Sequence, residues 1–92
     1  MVKVIVTAKV KDTAVWEAGF RSMSAVLSAV YISPISLGLN TEDSSFAYVA
    51  EVKDLDKYLA TINSERIQKV QEENGVIEGT VRYYVLDKPV EF

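Results

Sequence analysis

Thr7, Lys9, Glu51, Arg82 and Tyr84 are the side chains of this sequence best equipped to hold a small molecule by charge and hydrogen bonding. A repeat is the reason to group them. The stretch AKVKD from Ala8 returns as AEVKD from Ala50, and each VKD is followed four residues on by a large aromatic, Trp16 or Tyr58. In this 42-residue repeat Lys9 is the counterpart of Glu51. If their strands are neighbours, the two lie side by side, with Arg82 close by at the start of the last strand. A carboxylate held between two cations stays ionised and can orient a substrate or accept a proton. The plainer reading of the same trio is a cross-strand salt bridge at the rim of an interface, because structural ion pairs outnumber catalytic ones.

Other residues offer less. Tyr48, Tyr83 and Tyr84 could donate hydrogen bonds to a ring or quinone, although tyrosines that face a core usually fill it. Trp16 and Phe20 could wall an aromatic pocket between helix and sheet, but they also belong to a regular packing stripe. Ser22, Ser24 and Ser28 have no identifiable base beside them, so none reads as a nucleophile. No catalytic residue can be named from the sequence.

Composition sets firm bounds. The chain has no His and no Cys. That excludes a Ser-His-Asp or Cys-His triad, a His-ligated haem and an ordinary zinc site. No metal site and no cofactor are expected. With 49% hydrophobic and 25% charged residues the composition is that of a soluble globular chain. Ten Lys and Arg are scattered among thirteen acids, giving a net charge of −3, so no basic stripe exists to grip nucleic acid. No stretch approaches the roughly 20 apolar residues of a membrane span. The start, MVKVIVTAKV, lacks the layout of a signal peptide. The expectation is one domain over residues 1–92, in the cytoplasm, without membrane or nucleic-acid partners.

The elements that must position the candidates follow from periodicity. Residues 2–11 alternate as a strand. Asp12 caps a helix, after which Trp16, Phe20, Met23, Leu27 and Val30 form the buried stripe of one amphipathic helix. Glu17 and Arg21 are spaced for an ion pair on its outer side. Pro34 bars a helix, and Ile35, Leu37 and Leu39 alternate as a second strand. After the polar turn NTEDSS, residues 46–53 form a third. Asp54 caps a helix carrying Leu55, Tyr58, Leu59 and Ile62. Asn63 breaks it, Ser64 caps a further segment, and Asn74-Gly75 supplies a left-handed stop. Residues 81–86 form the last strand.

This order is a ferredoxin-like βαββαβ plait of α+β class, a four-stranded antiparallel sheet with its helices on one face. The first and third strands are expected to be central and to run parallel. Arg82 decides the facing, since burying it unpaired under helices would cost several kcal/mol. The uncovered face then carries Ile5, Ala47, Val49, Tyr84 and Leu86, too apolar a patch to leave in water. The simplest partner is a second copy, giving a homodimer with the sheets face to face.

With these residues in hand the chain resembles the dimeric α/β-barrel superfamily, in particular small proteins related to antibiotic-biosynthesis monooxygenases. The resembling stretches are KVKDTAVWEAGF, AEVKDLDKYLATINSERIQKVQEENGV and VRYYVLD. The resemblance implies a dimeric barrel with a pocket inside it or between sheet and helices. It implies two functional readings: a module binding a small molecule at one of those places, or a cofactor-independent monooxygenase, isomerase or cyclase acting on an aromatic or polyketide-like substrate. Haem branches of the superfamily use a His, which this chain lacks.

Overall fold

The computed structural model describes residues 2–91, apart from the side chain of Ser33. The chain forms β1 (Lys3–Lys9), α1 (Thr13–Ser22), α2 (Ser24–Val30), β2 (Tyr31–Asn40), β3 (Ser45–Val52), α3 (Leu55–Ile62), α4 (Glu65–Glu73) and β4 (Arg82–Leu86). The four strands make one sheet in the order β2-β3-β1-β4, with β1–β3, β1–β4 and β2–β3 all antiparallel. This is the ferredoxin-like plait.

Both strand-to-helix junctions are built alike. The Asp12 carboxylate accepts the backbone N–H of Ala14 at 2.8 Å, and the Asp54 carboxylate accepts that of Lys57 at 3.1 Å. Each satisfies donors that a helix start leaves open. Val10 and Val52 are buried at the strand ends, and Trp16 and Tyr58 are buried one turn into the helices. The repeated VKD is therefore strand end and helix cap, used once per half.

Strand direction corrects one expectation. A helix carries the chain from β1 to a parallel β2; a tight turn then sends it back along β3. β3 therefore runs against β1, and the two are not parallel neighbours. The register pairs Lys3 with Glu51 and Lys9 with Ser45. Lys9 and Glu51 stand at opposite ends of the central strands, six residues apart along β1, or about 20 Å at some 3.4 Å per residue.

The first helical stretch is two helices, not one. At Met23 the backbone N–H bonds the Phe20 carbonyl, three residues back, while the Ser22 hydroxyl takes the Gly19 carbonyl at 2.6 Å. This tightened turn ends α1 and re-aims α2. β2 begins directly at Tyr31, four residues before Ile35. Between Ile32 and Ser36 it carries an irregularity opposite Glu51 and Val49, with Pro34 inside it, where a residue lacking an N–H is tolerated. The Asn74-Gly75 stop is as expected, with Gly75 at φ +79° and the following Val76 bridged to Val10.

The core lies between the sheet and the helices. It joins Val4, Val6, Ala8 and Val10 of the first strand region to Phe46, Tyr48, Ala50 and Val52 of β3, with Trp16, Val30, Tyr31 and Tyr58 above them. Among the described residues no helix covers the opposite sheet face.

Candidate functional site

A partly open cleft of about 90 Å³ lies between the helices and the sheet. Trp16 and Phe20 of α1, Met23 at the helix break, and Leu27 of α2 form one wall. Phe46 and Tyr48 of β3 form the floor, with Tyr31 of β2 and Tyr83 of β4 at its sides. Tyr58, Thr61, Gln71 and Asn74 close the far wall. Trp16 stacks on Phe46 with ring centroids 3.8 Å apart and planes 12° apart, and Phe20 leans on Tyr48 at 5.3 Å. Trp16 and Phe20 thus both pack the core and wall an aromatic pocket.

The side chains with polar groups that line it are Tyr31, Tyr48, Tyr58, Tyr83, Gln71, Asn74, Thr61 and Trp16. The hydroxyls of Tyr31 and Tyr48 hydrogen-bond each other at 3.0 Å. The Gln71 side-chain amide donates to the Tyr83 hydroxyl at 2.8 Å. Tyr58 is 0% exposed, and its hydroxyl has no hydrogen-bond partner among the described residues. Its ring lies 5.7 Å from that of Tyr31, and the Tyr31 hydroxyl is close enough to raise the pKa of Tyr58, yet no bond of ordinary geometry joins the two hydroxyls. A buried hydroxyl left in this state costs about 1–3 kcal/mol.

Burial raises the pKa of all three phenols far above the ordinary tyrosine range; neighbouring Tyr48 adds to the effect at Tyr31, and neighbouring Tyr31 at Tyr58. They are neutral donors at physiological pH. The described residues lining the cleft include no carboxylate and no amine. The cleft therefore suits a neutral ligand, since a charged one would be desolvated without a counter-ion. It can donate hydrogen bonds but holds no base for drawing a proton from a substrate near neutral pH.

Gly19 of α1 faces the Asn74 side chain at the end of α4. A Cβ there would overlap the Asn74 side-chain amide.

The residues singled out from the sequence lie on the other side of the sheet. Thr7, Lys9 and Arg82 share a shallow concavity with Gly38, Asn40, Ser45 and Ala47. Arg82 stands opposite Thr7, and its Nη1 donates to the carbonyls of Gly79 and Val81, both at 3.0 Å. Tyr84, half exposed, is one row away, opposite Ile5. Glu51 is at the far end, opposite Lys3 and Ile32. The proposed Lys9–Glu51–Arg82 trio is therefore not assembled. Thr7, Lys9 and Arg82 come together; Glu51 and Tyr84 do not join them.

The sequence reading missed Tyr31 and the orphaned hydroxyl of Tyr58. Tyr31 directly follows the last apolar residue of the helical stripe, with no turn residue between to announce a strand. Tyr58 was recognised as a core aromatic by its equivalence to Trp16, but nothing local reports whether its hydroxyl is satisfied.

Among the described residues no helix is long and apolar enough to cross a membrane. No protein-family model matches the chain, and no curated protein matches it. Solved structures do. One is SnoaB from Streptomyces nogalater, described as a cofactor-independent oxygenase, at 14% identity and TM-score 0.70 over 98% of this chain and 94% of that one. A second is an antibiotic biosynthesis monooxygenase, at 14% identity and TM-score 0.69 over 98% of this chain and 100% of that one. A third is Rv0793 from Mycobacterium tuberculosis, at 15% identity and TM-score 0.66 over 98% and 96%. At such identities the likeness shows the fold: this chain has the ferredoxin-like fold of the antibiotic biosynthesis monooxygenase-like proteins.

Proposed function

We propose that this protein is a homodimer whose helix–sheet cleft binds a small neutral aromatic molecule bearing a carbonyl or other hydrogen-bond acceptor. The observation that carries this reading is the buried, unpartnered hydroxyl of Tyr58 in an aromatic cleft. A ligand oxygen that displaces the side chains covering this hydroxyl would gain a donor already desolvated, so that cost is met before binding and recovered on binding. An apolar cavity of about 150 Å³ can take up benzene. At about 90 Å³ and partly open, this cleft suits a single ring with its remainder projecting outward. Thr7, Lys9, Glu51, Arg82 and Tyr84 belong, in this reading, to the dimer face rather than to the ligand. A cytoplasmic location is part of the same proposal, and cell fractionation tests it.

Chemical-shift mapping with acetophenone tests the site. Shifts at the Trp16 indole and along α1 are the expected result. Shifts confined to Arg82 and its neighbours, or none at millimolar ligand, contradict it.

A second reading, cofactor-independent oxygenation, draws on the likeness to SnoaB. The cleft supplies donors but no base, so the substrate would have to ionise readily by itself. Oxygen uptake stimulated by the protein in the presence of an easily oxidised hydroxylated polycyclic aromatic supports this reading; binding of the same compound without uptake leaves the protein a binding module.

A further inference from the structure

The uncovered sheet face is self-complementary in one orientation, and from it we infer that Glu51 of each protomer is paired with Lys3 of its partner across the dimer. This rests on the homodimer proposed above and goes beyond it by fixing the symmetry axis and the contact. Three observations carry it.

Glu51 is the carboxylate on this face with a missing partner. Its Oε2 is occluded from solvent and accepts no hydrogen bond among the described residues. Lys3 stands directly opposite on β1, yet the two form no ion pair; Glu17–Arg21 is the ion pair found among the described residues. A carboxylate with one oxygen occluded and without a donor is unfavourable, and a cation that meets the still accessible part of the half-buried Glu51 side chain from outside the sheet offsets its charge.

The pattern across the strands reads alike in reverse. From β2 to β4 the row through this pair is Ile32, Glu51, Lys3, Leu86: apolar, acid, base, apolar. A two-fold axis parallel to the strands, midway between β1 and β3, reverses the strand order and keeps each row in place. It sets Glu51 over the partner's Lys3 and Lys3 over the partner's Glu51, with apolar residues closing both ends. The next row sets Val49 over the partner's Ile5 by the same operation.

The row beyond fits as well. Arg82, long and cationic, falls over the partner's Gly38, a position with open space where a side chain would be. The other two-fold within the sheet plane, across the strands, would place Lys3 over the partner's Lys9 and leave Glu51 facing Ser45. Packed sheets lie about 10 Å apart, a gap that a lysine and a glutamate reaching from opposite sides can span.

Charge reversal in two separate chains tests the pairing. Lys3→Glu and Glu51→Lys are each expected to weaken self-association at least about tenfold in sedimentation equilibrium, because each sets like charges against one another across the interface. Mixed in equal amounts, with one chain isotopically labelled, they are expected to form a one-to-one heterodimer by native mass spectrometry, since both crossings are then attractive. Variants that associate like wild type, or a mixture no tighter than either alone, overturn the pairing while leaving a wild-type dimer standing. A wild-type monomer at micromolar concentration overturns the dimer itself. If charge reversal unfolds either chain, Glu51→Gln replaces it: the salt dependence of dimerisation is expected to flatten, and an unchanged slope overturns the pairing.

Discussion

The ring of Tyr58 lies 5.7 Å from that of Tyr31, but the Tyr31 hydroxyl is bonded to Tyr48 and the Tyr58 hydroxyl to no described residue. One aromatic cluster thus holds a satisfied pair and an unsatisfied donor. The asymmetry separates a hydroxyl pair that stabilises the fold from the hydroxyl that, in the proposed function, donates to a ligand.

Removing the two kinds of hydroxyl has opposite expected effects. Tyr58→Phe deletes a buried group with no partner, and stability is expected to hold or rise by about 1 kcal/mol. Tyr31→Phe strands the Tyr48 hydroxyl in the core, and a loss of about 1–3 kcal/mol is expected. Thermal melts distinguish them, since 1 kcal/mol moves the midpoint of a domain this small by about 4–8 °C. Equal losses in both variants would mean that Tyr58 has a structural partner in solution.

Alkaline pH gives a second check on the cluster. The unfolded chain's tyrosines release protons near pH 10. Those of Tyr31, Tyr48 and Tyr58 are held to higher pH in the folded state by burial. The folded chain then binds more protons than the unfolded one, so stability is fully present below about pH 10 and falls above it, by up to about 1.4 kcal/mol per pH unit for each group. Phenolate absorbance from these three residues is expected to appear together with loss of helical circular dichroism. Its appearance while the helices remain intact would contradict the burial described.

The repeated caps should weigh alike. Asp12→Ala and Asp54→Ala each remove the side-chain acceptor at a helix start, and each is expected to cost about 1 kcal/mol in urea unfolding. The double variant should cost the sum, because the two helices start from different strands and the capping groups share no partner.

Local chemistry explains what could be read from the sequence. Asp12, Asp54 and Ser64 announce helix starts because a cap needs only its own next three residues. The facing of Val4, Val6 and Tyr48 follows from period two alone. Arg82 correctly chose the open face because a guanidinium is too costly to bury without a partner. Lys9 and Glu51 were misplaced for a different reason. A sequence repeat carries equivalent positions, but in this fold the two halves are laid antiparallel, so equivalent residues end up at opposite ends of the sheet. At Met23 the helix breaks where its backbone N–H takes the Phe20 carbonyl three residues back, and the apolar stripe runs through that point unchanged. The free hydroxyl of Tyr58 depends on three strands and a helix converging, and spacing along the chain records neither.

Calorimetric titration of wild type and Tyr58→Phe with two ligands of nearly equal shape, acetophenone and ethylbenzene, reads the Tyr58 hydrogen bond itself. Wild type is predicted to prefer the carbonyl compound by about fivefold or more, as expected when a buried donor gains its acceptor, and Tyr58→Phe to bind both alike. Equal affinity of wild type for the two, or a preference that survives in Tyr58→Phe, would contradict the assignment of Tyr58 as the ligand's hydrogen-bond donor.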